Sequence, residues 1–186
     1  MNTLFVGHNL LKFSSLSSTN DYCWELLSDK LIPDGTVVWT LLQTQGKGQR
    51  GKSWFSKAGK SLPFSIVFKP KMNVADQFFL NKAIALGVCE AIISLGVNAQ
   101  IKWPNDIYIE NKKVAGILIE LSSIGKKIDT VYAGIGINIS HSPSNVDYKT
   151  TFLKAFVKNK IALLDTIKVI LEKLSFWENY YLINGS

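Results

Sequence analysis

The chain has 186 residues, a hydrophobic fraction of 47% and a net charge of +7. These values predict one folded, soluble domain over residues 1–186 and do not indicate disorder. The charge would suit nucleic acid, but the lysines are spread along the chain and no DNA- or RNA-binding motif is visible, so no nucleic-acid partner is predicted. No apolar run approaches the ~18–20 residues of a membrane span, and residues 1–12 lack a secretory signal. We therefore expect a cytoplasmic protein without a membrane partner.

The first half of the chain is predicted to contain a helix and two strands around a long loop. Ser18 and Thr19 are capping residues, and a helical pattern follows them. Residues 36–42 are an apolar run after a Pro-Asp-Gly turn and predict a buried strand. Residues 43–60, rich in glycine and lysine, predict a loop, and residues 64–68 predict the next strand.

The second half is predicted to contain three helices and four strands. Asp76 is expected to cap a helix that runs to about Leu95, with an apolar face made of Leu80, Ile84, Val88, Ala91 and Leu95. Strands are expected at residues 99–103, 107–110, 114–121 and 130–139, with a hairpin turn at Asn111-Lys112, and helices at residues 151–158 and 161–182. Strands outnumber alternating helices. The predicted fold is therefore α+β, a mixed, largely antiparallel sheet with helices packed on one face. Cys23 and Cys89 are predicted to be reduced core thiols, which fits the cytoplasm.

Residues 46–53, Gly-Lys-Gly-Gln-Arg-Gly-Lys-Ser, match the phosphate-binding pattern G-x-x-x-x-G-K-[ST] letter for letter. A P-loop must open a helix whose N-terminal N–H groups face the phosphates. Gly59 and Pro63 disfavour a long helix after this segment, so a P-loop fold is not predicted.

The glycines of this loop still permit a close approach to a ligand. Lys47, Arg50 and Lys52 provide cationic donors for a phosphate or a carboxylate, and Trp54 can close over a flat ring. Arg50 is the one arginine among 21 basic residues, which marks it as a candidate functional residue. A flexible, solvated loop is the alternative interpretation.

A second candidate site lies at the end of a predicted strand. Lys102 and Asp106 stand around a Trp-Pro turn, where Asp106 can hold Mg²⁺ and Lys102 can meet phosphates. Lys113 follows at the head of an apolar strand that begins with the small residues Ala115 and Gly116. An ordinary turn with a surface ion pair and a hairpin lysine are the alternatives, and composition does not decide between them.

Four sequence blocks resemble the signature of the biotin–protein ligases. The central block is Lys102-Trp103-Pro104-Asn105-Asp106, followed by Lys113 and Ala115-Gly116-Ile117-Leu118. The others are Ser18-Thr19-Asn20, Gln43 with residues 46–51, and Gly134-Ile135-Gly136-Ile137-Asn138. Because the blocks occur in the family's order over about residues 18–140, the chain resembles a catalytic domain of this family. The resemblance implies a fold like that of the class II aminoacyl-tRNA synthetases.

The resemblance implies a role for each block. Biotin would be bound by Ser18, Thr19, Asn20, Gln43, Lys47, Gly48, Gln49, Lys113 and Gly116. ATP and the adenylate would be bound by Arg50, Trp54, Lys102, Asn105 and Asn138. The catalytic residues would be Lys113, Arg50, Lys102 and Asp106, and Asp106 would hold Mg²⁺.

The resemblance also implies a reaction and a partner. ATP would activate biotin to biotinyl-5′-AMP, and biotin would then pass to a lysine of a biotin carboxyl-carrier protein domain, as in acetyl-CoA carboxylase. A homodimer is compatible with the family. An N-terminal DNA-binding domain is not expected, since 17 residues precede Ser18, and a C-terminal β-barrel domain is expected to be absent or truncated. The alternatives are a lipoate or octanoate ligase or transferase and a non-catalytic biotin-binding sensor.

Two loop positions depart from the family pattern. Lys47 replaces a common arginine, and Gln49 stands where another arginine often lies. Lysine lacks the planar guanidinium fork, so bidentate contacts are not expected at position 47. Arg50 is expected to take over part of that work.

Overall fold

The computed structural model describes residues 7–28, 32–144, 146–158 and 161–184. Within these residues the chain forms seven strands and three α-helices. The strands are β1 (Leu10–Phe13), β2 (Val37–Thr40), β3 (Ser61–Phe68), β4 (Gln100–Lys102), β5 (Asp106–Ile109), β6 (Lys112–Ile124) and β7 (Lys127–Asn138). The helices are α1 (Thr19–Ser28), α2 (Gln77–Ser94) and α3 (Leu163–Asn184).

The seven strands form one sheet in the order β1-β2-β3-β7-β6-β5-β4. β1 runs parallel to β2, and every other neighbouring pair is antiparallel. The long hairpin of β6 and β7 lies near the centre and pairs on one side with β3 and on the other with β5. The prediction of a mixed, largely antiparallel sheet is confirmed.

The two faces of the sheet are covered by different helices. Successive residues of a strand point to opposite faces, and on β3 Ile66 belongs to the main hydrophobic cluster whereas Val67 belongs to a smaller one. α2 and α3 contribute to the main cluster, while Cys23 of α1 lies in the smaller cluster with Tyr132 of β7. The prediction that the helices pack on one face is therefore confirmed for α2 and α3, whereas α1 packs on the opposite face.

α2 is the central helix of the main core. Its predicted apolar face is confirmed, since Ile84, Val88 and Ala91 are buried. Gly87 allows close packing on α3, because a Cβ there would lie 2.6 Å from Leu174 Cδ2. Asp76 occupies the N-cap position, but its side chain makes no capping hydrogen bond, so the predicted cap is corrected.

The segment Val74–Ser94, 21 residues long, has the length and apolar composition to cross a membrane. The sequence-based statement that no apolar run approaches a membrane span is therefore too strong. In the structure α2 packs against α3 and contacts β4 and β5. These contacts are those of a core helix in a globular protein, which meets the same criteria of length and composition.

Three local predictions differ from the structure. Residues 151–158 do not form an α-helix, and a 3₁₀ turn at Leu153–Ala155 buries Leu153 instead. The hairpin turn between β5 and β6 is Glu110-Asn111 rather than Asn111-Lys112, and both residues have positive φ, 48° and 60°. This is the backbone requirement of a two-residue hairpin turn. β1 was not predicted at all.

The two cysteines lie in the interior, as predicted. Both are free and buried, Cys23 on α1 and Cys89 on α2. Burial raises the pKa of the Cys23 thiol to about 12. Burial also raises the pKa of Cys89, with a smaller contribution from Glu90.

Candidate active site

A cavity of about 330 Å³ opens beside the start of α1 and the glycine-rich loop. Fourteen of the fifteen site residues predicted from the sequence line it. They are Ser18, Thr19, Asn20, Gln43, Lys47, Gly48, Gln49, Arg50, Trp54, Lys102, Asn105, Asp106, Lys113 and Gly116. Segments far apart in the sequence therefore meet at one place.

The exception is Asn138, which is buried and is not among the lining residues. Its Nδ2 donates to the carbonyl oxygen of Thr151 at 3.0 Å, and its Oδ1 has no partner among the residues that the structure describes. Asn138 lies two residues beyond Gly136 on β7, so both face the same side of the sheet. Its contact with adenosine stays a prediction.

One wall of the cavity is a hydrogen-bond network at the start of α1. Ser18 Oγ accepts the backbone N–H of Asp21 at 3.3 Å and thereby caps the helix. The backbone N–H of Thr19 donates to Gln43 Oε1 at 2.7 Å, and the Thr19 hydroxyl oxygen lies 3.0 Å from the same atom. Asn20 Nδ2 donates to a carboxylate on β6 at 2.7 Å. These contacts fix amide and hydroxyl groups in a buried wall, which suits a polar, uncharged ligand group.

The floor of the cavity is made of backbone. Gly116 on β6 lies opposite Gly136 on β7. A Cβ on Gly136 would lie 2.3 Å from Trp54 Cε2, and one on Gly116 would lie 3.3 Å from Trp54 Cζ3. The indole ring therefore rests directly on the two glycines. Gly134 likewise leaves room for the side chain of Asn20, since a Cβ at this position would lie 2.6 Å from Asn20 Oδ1.

The glycine-rich loop folds into a small hairpin over the cavity. The backbone N–H of Gly48 donates to the carbonyl oxygen of Lys52 at 2.7 Å, and the backbone N–H of Trp54 donates to the carbonyl oxygen of Gly46 at 2.8 Å. Arg50 lies at the tip in the left-handed conformation, with φ 55°. No α-helix forms between the loop and residue 77, a stretch that the structure describes completely. The segment is therefore not a P-loop, as the sequence predicted.

An ion pair ties this loop to α1. Lys47 Nζ lies 2.6 Å from Asp21 Oδ1, with about half of the Lys47 side chain exposed. The hydrogen bond to Asp21 raises the pKa of Lys47; burial opposes this rise, and the charges of Asp21 and Glu120 add to it. Lys47 therefore acts as a tether on the loop as well as a cation in the cavity.

Lys113 is the most enclosed cation of the cavity. Its Nζ lies 2.6 Å from Asp106 Oδ1, and the two side chains are 14% and 22% exposed. The same nitrogen lies 5.9 Å from the ring centroid of Trp54 and 5.2 Å from that of Tyr148. The ladder between β5 and β6 shifts register here, so that Lys113 pairs with Tyr108. Such irregularities re-aim side chains at sites.

The turn that carries Asp106 is also held in place. Asn105 Nδ2 donates to the carbonyl oxygen of Ile117 at 2.9 Å. Lys102 Nζ donates to the Tyr108 hydroxyl oxygen at 3.2 Å. Among the described residues that line the cavity, Asp106 is the one carboxylate, against five cations: Lys47, Arg50, Lys52, Lys102 and Lys113. The cavity therefore favours anionic ligand groups at this end.

Tyr108 and Tyr148 line the cavity and were not predicted from the sequence. Tyr148 contacts two cations, with Lys113 Nζ 5.2 Å and Lys52 Nζ 5.9 Å from its ring centroid. Burial raises the pKa of its hydroxyl, and the charges of Asp106 and Tyr108 add to this effect. Neither tyrosine belongs to a motif, and Tyr148 reaches the site because the backbone at Lys149 accepts a hydrogen bond from Lys113 N at 2.9 Å.

This arrangement suits one kind of chemistry. A polar wall, a backbone floor beneath an aromatic ring and a cluster of cations can hold a ligand that combines an uncharged polar head with anionic groups. No side chain of the cavity needs to act as a nucleophile for two bound substrates to react. Positioning and stabilisation of negative charge are what the site offers.

Comparisons with solved structures define the class of this fold. The biotin protein ligase from Aquifex aeolicus, solved in complex with biotin and ATP, superimposes with a TM-score of 0.79 at 27% identity, over 94% of this chain and 72% of that chain. The mixed seven-stranded sheet is thus a fold of the class II aminoacyl-tRNA synthetase type. The chain belongs to the biotin/lipoate A/B protein ligase family, whose sequence model matches residues 12–138.

The chain is also similar to curated proteins that are named as ligases. The bifunctional ligase/repressor BirA of Bacillus subtilis is 33% identical over 146 residues, 78% of this chain and 45% of that protein. The biotin–[acetyl-CoA-carboxylase] ligase of Paracoccus denitrificans is 36% identical over 111 residues, 57% of this chain and 46% of that protein. The chain therefore spans less than half the length of these two relatives.

Proposed function

We propose that this chain activates biotin with ATP to form biotinyl-5′-AMP and then transfers the biotin to a lysine of a carrier protein. The observation that carries the proposal is the position of Lys113, an enclosed ammonium group in the same cavity as the polar wall of Thr19 and Gln43. A ligand with a polar ring at the wall and a carboxylate at Lys113 would fit both. The relative from Aquifex aeolicus, solved with biotin and ATP, supports this choice.

The first step joins the two substrates. A carboxylate oxygen of biotin attacks the α-phosphorus of ATP, the bond to the β-phosphate breaks and pyrophosphate leaves. Lys113, Lys102 and Arg50 would hold the reacting groups together and stabilise the negative charge that develops on the phosphate oxygens. Lys113 pairs with Asp106, so a bound carboxylate would share or replace that partner.

The second step transfers the acyl group. The neutral amine of a carrier lysine attacks the acyl carbon, AMP leaves and the amine loses a proton. Water competes for the same carbon, so the enzyme has to cover the intermediate until the carrier arrives. The hairpin loop would provide this cover, with Lys47 tethered to Asp21 and Trp54 seated on the glycine floor.

Mg²⁺ is part of the proposal, and Asp106 fits it as a shared ligand. Proteins commonly bind Mg²⁺ through one or two carboxylates together with substrate phosphates. Among the residues that the structure describes, no group of three or more His, Cys, Asp or Glu side chains that could hold a metal ion is present. Asp106 would hold the ion jointly with the phosphates of ATP, and the ion would neutralise phosphate charge.

The partner of the second step would be a biotin carboxyl-carrier domain, such as that of acetyl-CoA carboxylase. The name of the Paracoccus denitrificans relative supports this choice. We further propose that residues 1–186 act as one catalytic domain in the cytoplasm, without nucleic-acid or membrane partners, and that the domain can form a homodimer.

The test uses the purified chain with ATP, Mg²⁺ and either biotin or lipoate. Pyrophosphate release measures the first step, and label on an added carrier domain measures the second. We expect pyrophosphate release with biotin and biotin on the carrier lysine. Turnover with lipoate but not with biotin would contradict the proposal, and so would biotin binding without pyrophosphate release.

A further inference from the structure

Ser65 lies at the centre of the network behind the polar wall. It stands on β3, is fully buried and does not belong to the lining residues of the cavity. Its Oγ lies 2.6 Å from Thr19 Oγ1 and 2.6 Å from Asn20 Oδ1. A buried hydroxyl group that contacts two consecutive residues of the wall fixes both of them.

The strand register creates this arrangement. Ser65 lies directly opposite Gly134 of β7, and Gly134 has no Cβ, so the amide of Asn20 can sit above the pair. Ser65 and Gly134 are therefore complementary: the glycine leaves room for the amide and the serine bonds to it.

The amide of Asn20 has one orientation in this network. Its Nδ2 faces two acceptors, Glu120 Oε2 at 2.7 Å and the carbonyl oxygen of Leu118 at 3.5 Å. The reverse orientation would place the amide oxygen against both acceptors, which is unfavourable. Asn20 Oδ1 therefore points at Ser65 and needs a proton from it, since an amide oxygen only accepts.

The network then lacks one proton. It contains three contacts between oxygen atoms, Ser65–Asn20, Ser65–Thr19 and Thr19–Gln43, but each hydroxyl group has a single proton. The Ser65 proton is required by Asn20 Oδ1. The Thr19 proton is then drawn to Ser65 Oγ at 2.6 Å rather than to Gln43 Oε1 at 3.0 Å.

We infer that Ser65 is a positioning residue that draws the Thr19 hydroxyl proton away from Gln43 and so leaves the Gln43 carbonyl oxygen ready to accept an N–H of the substrate. Gln43 Oε1 already accepts the backbone N–H of Thr19 and retains a second lone pair. The inference rests on the proposed function, in which the cyclic urea of biotin supplies that N–H. A carboxylic acid without such a donor gains nothing from this wall, so Ser65 contributes to specificity.

The experiment compares Ser65→Ala and Ser65→Cys with a matched control, Ser61→Ala. Ser61 is also a buried serine on β3, and its hydroxyl oxygen accepts the backbone N–H of Lys57 at 3.2 Å. Pyrophosphate release gives kcat and separate KM values for biotin and ATP, and thermal unfolding reports folding. Ser65→Cys leaves no cavity, because sulfur is somewhat larger than oxygen, and it is a much weaker hydrogen-bond donor, so it remains informative if the alanine variant does not fold.

We expect both Ser65 variants to raise the KM for biotin about tenfold, the effect of one lost hydrogen bond, with the KM for ATP and kcat within about twofold of wild type. Ser61→Ala should leave all three constants unchanged. An unchanged KM for biotin in folded Ser65 variants would overturn the inference, and so would a parallel rise in both KM values shared by Ser61→Ala. A wild-type chain that releases no pyrophosphate with biotin would overturn the proposed function, and this inference with it.

Discussion

Lys113 Nζ and Asp106 Oδ1 lie 2.6 Å apart and join β6 to β5 inside the cavity. Both side chains are largely enclosed, and both rings beside Lys113, those of Trp54 and Tyr148, limit its access to water. A charge in such surroundings interacts more strongly with a bound anion than a surface charge does. The pair therefore provides a cation of fixed position that a substrate carboxylate can reach.

The first prediction concerns this cation. Lys113→Gln should lower biotin-dependent pyrophosphate release by about 100-fold or more, because a preorganised positive charge is lost from the reacting centre. Lys112→Gln is the matched control, since Lys112 is the neighbouring residue on β6 and lies outside the cavity lining. Equal activity of the two variants would show that Lys113 has no special role.

The second prediction concerns the lone arginine. Arg50 lies at the tip of the loop and lines the cavity with Lys52. Arg50→Lys should slow adenylate formation or increase leakage of biotinyl-AMP far more than Lys52→Ala, because lysine lacks the bidentate guanidinium group. Single-turnover formation of the adenylate and its release into the medium are the two measurements. Similar behaviour of the two variants would contradict the idea of a special arginine.

The third prediction concerns the seat of Trp54 on the glycine floor. A Cβ on Gly136 would lie 2.3 Å from Trp54 Cε2, so Gly136→Ala should destabilise the fold by about 1–3 kcal/mol and displace the indole. In a Trp54→Ala background the same substitution should cost much less, because the clash is absent. Thermal unfolding of the four proteins measures the coupling. An equal cost in both backgrounds would show that the ring does not rest on Gly136.

The fourth prediction concerns the loop tether. Asp21→Asn should speed the release of biotinyl-AMP a few-fold, since an exposed ion pair contributes up to about 1 kcal/mol. Asp165→Asn is the control, because Asp165 pairs with Lys168 on α3, with 3.7 Å between Nζ and Oδ1. Leakage is measured in the absence of a carrier. If Asp21→Asn leaks no faster than Asp165→Asn, the tether has no part in retention.

The fifth prediction concerns the thiols. The thiolate is the reactive form, and burial raises the pKa of Cys23 to about 12, so at pH 8 the native protein should contain almost none of it at this position. A thiol reagent should therefore label neither Cys23 nor Cys89 in the folded chain and both after denaturation, since both are free and buried. Rapid labelling of the native protein would contradict the buried positions.

The sequence predicted those parts of the fold that are governed by local patterns. β2, β3 and α2 are apolar segments, and all three are present, although β3 begins at Ser61, three residues before its predicted start. β1 has only four residues and is held in the sheet by its parallel pairing with β2. About two dozen residues of chain separate the two strands, so no local sequence pattern predicts this pairing. The apolar spacing around Leu153 resembles a helix, but a single 3₁₀ turn already buries that side chain.

The candidate site was predictable wherever its residues lie in compact blocks. Ser18, Gln43 and Lys113 all reach the cavity as expected. Tyr148 and Ser65 could not be found in this way, because each reaches the site through partners far away in sequence. Ser65 bonds to Thr19 over 46 residues, and nothing near it in the sequence distinguishes it from other serines in strands.

Successive residues of β7 face the site and the main core in turn, so the number of residues in this strand is as important as their identity. Gly134 and Gly136 face the site, while Ala133 and Ile135 face the main core. Removing or adding one residue ahead of Gly134 would exchange the two sets and place an isoleucine beneath the indole of Trp54. Even if the sheet re-formed its hydrogen bonds after such a change, the cavity would be filled. Length variation compatible with function is therefore expected in the loops of this chain and not in its central strands.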